Sequence, residues 1–292
     1  MKRALSVLVL LLPALAFAQE VITPSPCSLE FKDASDGSVQ KRHDAARPEG
    51  PIALGYFEAD VATGRRACPR TEIGIGGRFG AIIDVPNYYG NLGINGMLFG
   101  SWALNERTEI FATLEAVNYS YAVNASLSKS AIALGHMTVG ITRVTFTTEA
   151  MSQTGSNFVG SVSARLLLPT SFEIPNARLI GAEVTYLTSW LPFTRLEVHS
   201  AVGLDVSAAI SASQYLPRFG GTALLGAEWK PASWFGFVLD VSGHIGARSY
   251  FAPTVAVRFR VSQLGIELGG TVPFGGTDRH DFIMGGRVTW RL

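Results

Sequence analysis

Apolar and polar residues alternate along most of the chain, from about residue 70 to the last residue. The alternation is clearest in 195–209, where one face would carry Leu196, Val198, Val202, Leu204 and Val206. A period of two residues places successive side chains on opposite faces of a β-strand. Short clusters of Pro, Gly, Asn and Asp separate the alternating stretches, as turns do. The pattern predicts an antiparallel all-β protein.

The alternating region divides into twelve predicted strands. They cover 71–83, 91–104, 107–121, 131–146, 157–168, 178–190, 195–209, 218–230, 234–246, 253–262, 264–274 and 281–292. Each strand with its connection uses about 19 residues, a length that suits strands tilted through a bilayer. An even strand number returns both ends to one side. The fold expected is a transmembrane antiparallel β-barrel.

Aromatic residues fall at the two ends of the predicted strands. One end carries every tryptophan of the chain, and we expect these side chains to form a belt at the membrane interface: Trp102, Trp190, Trp229, Trp234 and Trp290. Tyrosines such as Tyr119, Tyr121 and Tyr250 fall at the opposite end. Amphipathic rings settle at both interfaces of a bilayer, whereas a soluble β-sandwich has no reason to sort Trp from Tyr. The sorting favours a membrane barrel.

Composition agrees with this interpretation and excludes two other classes. Charged residues make up 16% of the chain, 31 residues are glycine, and the net charge is +1. No field of one sign is present to attract nucleic acid. Beyond the N-terminus no apolar run is long enough for a membrane helix. On the alternation scheme, the charged residues of the predicted strands share one face, which would line the lumen.

The N-terminal part of the chain lacks the alternation of apolar and polar residues. Residues 1–18 have the layout of a signal peptide, with Lys2 and Arg3 before an apolar stretch and a small-x-small site before Gln19. Residues 19–69 show no period and are expected to form an irregular periplasmic segment ahead of the barrel at 70–292. Cys27 and Cys68 are the two cysteines. In an exported protein such a pair predicts a disulfide rather than a metal site.

The last strand reads FIMGGRVTWRL, with apolar residues at alternate positions from Phe282 to Leu292. It resembles the C-terminal β-signal of Gram-negative outer-membrane barrels, although the final residue is Leu rather than an aromatic residue. The segments Ser163–Thr170 and Thr71–Gly80 look like those of barrel proteins grouped as phenol-degradation-pathway transporters. These resemblances imply an outer-membrane location, assembly by the barrel-assembly machinery, and contact with lipid and lipopolysaccharide.

The lumen face is the expected place of function. The candidate pore-lining residues are Arg195, Glu197, His199, Arg258, Arg260 and Glu267. Acidic and basic residues are balanced on this face, so two interpretations stay open. The charges could line a porin-like channel that transports small solutes passively, or they could satisfy one another in a closed structural or partner-binding barrel.

Enzymatic activity is not expected, and neither catalytic residues nor a cofactor or metal are assigned. A hydrolase at the rim is a third alternative, with His136 and Thr138, His199 and Ser200, or Asp278 and His280 as its candidate pairs. His199 and Ser200 would lie on opposite faces of one strand, and the other pairs lack a third group to orient the histidine. A solvated loop or a structural histidine explains each pair more simply.

Overall fold

The computed structural model describes most of the predicted barrel and short parts of the N-terminal segment. The described residues are 27, 30–32, 39–41, 49–50, 66–84, 89–124, 127–133, 135–148, 157–169, 179–193, 195–210, 215–246, 249–274 and 281–292. The predicted signal peptide lies outside them. No helix in this part of the chain is long and apolar enough to cross a bilayer.

Fifteen strands are present in the described part of the chain. In chain order they are β1 Glu30–Lys32, β2 Val39–Lys41, β3 Glu72–Asp84, β4 Tyr89–Asn105, β5 Thr108–Asn124, β6 Leu127–Ala133, β7 His136–Thr148, β8 Asn157–Pro169, β9 Leu179–Phe193, β10 Leu196–Ile210, β11 Tyr215–Ala232, β12 Phe235–Ile245, β13 Tyr250–Val261, β14 Leu264–Thr271 and β15 Phe282–Arg291. Strands β1 and β2 pair with each other, and all the others belong to one sheet.

The large sheet closes into a barrel. Each strand pairs antiparallel with its neighbours in sequence, and β15 pairs with β3 to complete the circle. Strands β6 and β7 both pair with the same edge of β5, so together they form one strand of the wall. The barrel therefore has twelve strands. The predictions of an all-β fold and a twelve-stranded antiparallel barrel are confirmed.

The prediction of one continuous strand over 131–146 is wrong in detail. The wall strand is interrupted between Ala133 and His136, where Gly135 donates its backbone N–H to the carbonyl of Glu115. Strand β5 carries an extra residue at this height, because Met97 pairs with Glu115 while Gly96 pairs with Val117. A bulge of this kind disturbs the ladder and moves the following side chains to the opposite face.

The two faces of the wall differ sharply in chemistry. On β10 the outward-facing Leu204 is 74% exposed, whereas Glu197 on the inward face is fully buried. Strands β12 and β13 repeat the pattern, with exposed Leu239 and Val255 beside buried Asp240 and Arg258. An apolar exterior suits hydrocarbon, since a charged side chain at mid-depth on the lipid face costs about 2–4 kcal/mol.

All five tryptophans lie at one end of the barrel. Trp102, Trp190, Trp229 and Trp290 are near the last residues of β4, β9, β11 and β15, and Trp234 lies in the turn between β11 and β12. Each of these side chains is exposed. The first residue of β3, Glu72, pairs with Arg291 at the same end. The position of the tryptophans is that of an interface belt, which remains a prediction about the lipid contacts.

Parts of the N-terminal segment lie inside the barrel at this end. Cys27 and Cys68 form a disulfide, as predicted. Both cysteines are buried with side chains of the inner wall, and Glu49, Arg66 and Arg70 are also buried. The N-terminal segment therefore supplies buried contacts to the lumen. The predicted boundaries at residues 18 and 69 stay predictions.

Candidate functional site

Five of the six predicted pore-lining residues lie on the inward face of the wall. Glu197, His199, Arg258, Arg260 and Glu267 are all buried. They come from β10, β13 and β14 and lie near the tryptophan end of the barrel. The sixth, Arg195, is in the turn before β10 and is exposed, so we leave it out of the lumen set. The alternation of each strand places the five side chains inward, since their neighbours in sequence face lipid.

The dipeptide Glu49–Gly50 occupies the centre of the charged residues. The carboxylate of Glu197 accepts the backbone N–H groups of Glu49 and Gly50 at 2.8 and 2.9 Å. The Nη2 atom of Arg258 donates to the carbonyl oxygen of Gly50 at 2.9 Å. Backbone groups buried outside a sheet need such partners, because an unpaired buried N–H or C=O destabilises the fold. The wall thus binds this dipeptide through its main chain.

The side chain of Glu49 binds three guanidinium groups. Its Oε2 atom lies 2.7 Å from Nη1 of Arg70, and its Oε1 atom lies 3.3 Å from Nε of Arg260. The Nη2 atom of Arg291 contacts both carboxylate oxygens, at 3.0 and 2.9 Å. Charge-assisted hydrogen bonds of this kind are about twice as strong as neutral ones. We call Arg70, Glu197, Arg258, Arg260 and Arg291 the charged seat of the N-terminal segment.

The charged seat determines the protonation of Glu49. Burial alone would raise the pKa of this carboxyl group, because it disfavours the charged form. The guanidinium groups of Arg70, Arg260 and Arg291 outweigh burial, so the pKa of Glu49 lies well below its ordinary value. Glu49 is therefore ionised at neutral pH, and its charge is shared among three cations.

A wider ion-pair network supports the charged seat from the wall. Arg258 donates from Nη1 to Glu228 at 2.6 Å and from Nε to Glu267 at 2.7 Å. Arg260 also pairs with Glu228, and Lys230 lies 3.3 Å from Glu197. These side chains come from four different strands. Because buried charges need partners on several sides, the network fixes the positions of the donors that bind Glu49 and Gly50.

The N-terminal segment also contacts the opposite side of the wall, through the side chain of Arg66 and the main chain of Arg70. Arg66 contacts Glu72 at 2.7 Å and Glu109 at 3.3 Å. The carboxylate of Glu109 also accepts the backbone N–H of Arg70 at 2.7 Å, and Ser101 donates to the carbonyl of Arg70. Burial would lower the pKa of Arg66, but Glu72 and Glu109 raise it above its ordinary value. Residues 66–70 are thus attached to the start of β3, the end of β4 and the start of β5.

An apolar contact surface holds the disulfide. Cys27, Ala67 and Cys68 are buried in one cluster with side chains of β7 to β11. The wall residues of this cluster, which we call the apolar seat, are Val144, Val159, Leu187, Ala201 and Leu224. From the wall, Ser161 adds a polar contact by donating to the carbonyl of Ala67 at 2.5 Å. The disulfide side of the N-terminal segment is therefore held mainly by packing.

Two histidine–aspartate pairs bridge β10 and β12. His199 Nε2 lies 2.6 Å from Asp240, and His244 Nε2 lies 3.0 Å from Asp205. The strand between them, β11, has Gly226 and Gly220 at these heights, and a Cβ atom at either position would collide with the pair. Glycine is thus required here for close approach of the neighbouring side chains.

The structure does not bring together the suggested hydrolase pair His199 and Ser200. His199 faces the lumen, whereas Ser200 bonds with Thr188 on the outward face. The carboxylate of Glu115 lies within ion-pair distance of His136 and 3.6 Å from Arg78. Asp278 and His280 lie outside the described residues. Within the part of the chain that the structure describes, no group of three metal-ligating side chains is present.

Sequence reasoning missed the residues that contribute most to the site. Glu49 and Arg66 were assigned only to an irregular segment, and Arg70 only to the residue before the first predicted strand, because they lie where no alternation exists. Glu72, a partner of Arg66, is six residues away, but other partners are distant in sequence: Glu49 and Glu197 are 148 residues apart. The one available signal was the cysteine pair, since a disulfide to Cys68 holds Cys27 beside the start of the first barrel strand.

Comparison with known proteins gives a fold but no family. No protein-family model matches the chain, and no curated protein matches it. The structure is similar to the COG4313 outer membrane channel from Pseudomonas putida F1, with a TM-score of 0.60 and 10% identity over 82% of this chain and 100% of that one.

Two further solved structures align less well. The KdgM porin has a TM-score of 0.46 and 10% identity, over 75% of this chain and 99% of that chain. The CymD monoaromatic hydrocarbon channel has a TM-score of 0.44 and 10% identity, over 83% and 97%. The apolar exterior and the likeness to the COG4313 channel confirm that the fold is that of an outer-membrane β-barrel.

Proposed function

We propose that the protein is a passive, weakly selective channel for small solutes in the outer membrane of a Gram-negative bacterium. One observation carries the proposal: the inward face of a closed barrel bears many ionisable side chains, while its outward face is apolar. Such a lumen can hold water and ions within the bilayer. An enzymatic role has no comparable support, since no histidine described here has a nucleophile and an orienting group together.

The N-terminal segment forms the narrow part of this proposed channel. Glu49–Gly50 and residues 66–70 fill space between the charged seat and the apolar seat. They lie at the tryptophan end, which is the periplasmic end if the chain is exported and both termini stay on that side. A solute moving inward would therefore meet the barrel lumen first and the N-terminal segment last.

The proposal includes partners outside the barrel. The exposed apolar band would contact outer-membrane lipid, and the opposite rim would contact lipopolysaccharide. The C-terminal strand, with Phe282 at its start and exposed Trp290 and Leu292 near its end, would be recognised by the barrel-assembly machinery during insertion. None of these contacts involves nucleic acid or a cofactor.

Liposome swelling tests the proposed function directly. Proteoliposomes containing the full chain are placed in iso-osmotic solutions of neutral solutes of increasing size. We expect entry of the smallest solutes at a rate that rises linearly with concentration and falls with solute size. Protein-free liposomes serve as the control. Proteoliposomes that stay as tight as protein-free ones would contradict the proposal.

The balance of charge in the lumen favours a second candidate, a closed structural barrel. Paired charges such as Arg258 with Glu228 and Arg165 with Glu183 satisfy one another and reduce the space for water. This candidate expects tight proteoliposomes with both the full chain and a form that lacks residues 19–69. Swelling by the shortened form alone would identify a channel closed by its N-terminal segment.

A further inference from the structure

Glu49 is an internal carboxylate bound in the manner of a ligand. Among the described residues, it is the carboxylate that lies within ion-pair distance of Arg70 and Arg291. Arg260 shares its charge between Glu49 and Glu228. If the Glu49 side chain were absent, Arg70 and Arg291 would each lose the carboxylate described for them. Arg260 and Arg291 of the wall and Arg70, which precedes β3, therefore form a cluster of cations around one counter-ion.

The same cations have unused hydrogen-bonding capacity. Nε and Nη2 of Arg70, Nη1 of Arg260 and Nε of Arg291 have no hydrogen-bond partner among the residues that the structure describes. Arg70 and Arg260 are more than nine-tenths buried. Buried donors without partners are rare in folded proteins and indicate a place for water, an ion or a ligand. These donors belong to the three guanidinium groups that bind the carboxylate of Glu49, so we assign them to one anion site rather than to scattered defects.

We propose that Arg70, Arg260 and Arg291 form a binding site for small organic carboxylates, and that Glu49 is its resident occupant. Guanidinium groups recognise a carboxylate by two parallel hydrogen bonds as well as by charge. A solute carboxylate that replaces Glu49 would find three cations in one place, with Arg260 held by Glu228. The inference rests on the proposed function, because it names the solute class that this lumen would select.

Replacement of Glu49 by alanine removes the resident carboxylate and keeps every arginine of the site. Binding of glutarate to the folded, detergent-solubilised E49A protein is measured from the rise in its thermal unfolding temperature. Glutaramide, which has the same size and no charge, is the control ligand. We expect glutarate to stabilise E49A in a saturable manner, glutaramide to have no effect, and the wild-type protein to respond to neither.

Removal of one cation tests the assignment of the donors. In the E49A background, R291Q and R260Q are expected to weaken glutarate binding about tenfold or more, since a hydrogen bond to a charged group contributes at least that factor. Arg218, which is exposed on β11, offers the matched control, and E49A/R218Q is expected to bind glutarate as E49A does. E49Q keeps the side-chain volume and is expected to gain weaker glutarate binding than E49A.

Conductance recordings separate this inference from the proposed function. In planar bilayers, E49A is expected to prefer anions more strongly than the wild-type protein, and glutarate is expected to block its current. A conducting E49A without anion preference or glutarate binding would overturn the carboxylate site and leave the channel intact. Saturable glutarate binding by a protein that never conducts would support the site and contradict the channel.

Discussion

The N-terminal segment contacts the barrel at two places that differ in chemistry. At the apolar seat, the Cys27–Cys68 disulfide packs against aliphatic side chains such as Leu187 and Val159. At the charged seat, Glu49–Gly50 is held by hydrogen bonds and ion pairs and by no described apolar cluster. Both surfaces line the same lumen, yet one is typical of a protein core and the other of a ligand site.

This difference indicates which contact can be released. Apolar packing is non-directional and does not depend on protonation, so the apolar seat should hold at any pH at which the barrel is folded. Buried ion pairs depend on charge and on geometry, and loss of one partner leaves the other uncompensated. We infer that the disulfide side is a permanent attachment and that Glu49–Gly50 is the contact that solutes, pH or mutation can displace.

The largest effect is expected from Arg258→Gln. Arg258 is fully buried and joins Glu228, Glu267 and the carbonyl of Gly50. Its loss removes one close cation from each of two buried carboxylates and the donor to Gly50, which should lower the free energy of unfolding by roughly 4 kcal/mol. The measurement is tryptophan fluorescence during urea unfolding in lipid vesicles. The exposed Arg218→Gln on β11 should change little, and equal losses for both variants would contradict the charged seat.

A somewhat smaller loss is expected from Leu187→Ala in the apolar seat. Leu187 is 2% exposed and packs in the cluster that contains the disulfide. Truncation creates a cavity and should cost roughly 3 kcal/mol in the same unfolding assay, independent of pH between 3 and 8. Leu225, on the lipid-facing side of β11, is the control, since lipid fills the space that Leu225→Ala leaves. A pH-dependent loss for Leu187→Ala would break the distinction between the two seats.

Glu49→Gln should have an intermediate effect that depends on pH. The pKa of Glu49 is lowered in the folded state, so its ionic contribution is present above the ordinary pKa of 4.5 and is lost as pH falls toward the folded pKa. We expect the free energy of unfolding of the wild-type protein to exceed that of Glu49→Gln by about 2 kcal/mol at pH 7. Unfolding curves from pH 7 down to pH 3 should show this difference shrinking below pH 4.5. A constant difference would mean that the charge of Glu49 is unimportant.

The smallest effect is expected from Gly50→Ala. Gly50 has a φ of 74°, a left-handed conformation that disfavours any side chain with a Cβ atom. The strain should cost about 1 kcal/mol and loosen the dipeptide without removing a charge. Gly221→Ala is the control, because the nearest atoms to a Cβ there are 3.7 Å away or more. If Gly50→Ala is as stable as Gly221→Ala, the dipeptide does not need its observed backbone conformation.

The wall could be predicted from sequence because its physics is local. A lipid-facing side chain and a lumen-facing side chain alternate along every strand, and the predicted strand 281–292 agrees with β15 within one residue at each end. The break after Ala133 could not be predicted, since it depends on the extra residue in β5 and its two neighbours. A bulge shifts register without leaving a distinct composition.

The contents of the lumen could be predicted only in part. Glu197, Arg258 and Glu267 were identified because they lie on alternating strands. The dipeptide Glu49–Gly50, which Glu197 and Arg258 bind, lies in a segment without period, and the ion pair between Glu49 and Arg291 spans 242 residues. Such a contact is determined by how the segment enters the closed barrel, which no local pattern encodes. The disulfide was the exception, because export and a cysteine count of two were sufficient.

Single-channel current in planar bilayers tests the central claim that Glu49–Gly50 and its neighbours restrict the lumen. The full chain, E49A and a form lacking residues 19–69 are compared after heat-dependent gel mobility has shown that each barrel is folded. The account predicts that the current rises in that order, with the largest step on removal of the segment. Equal currents from all three folded barrels would contradict it.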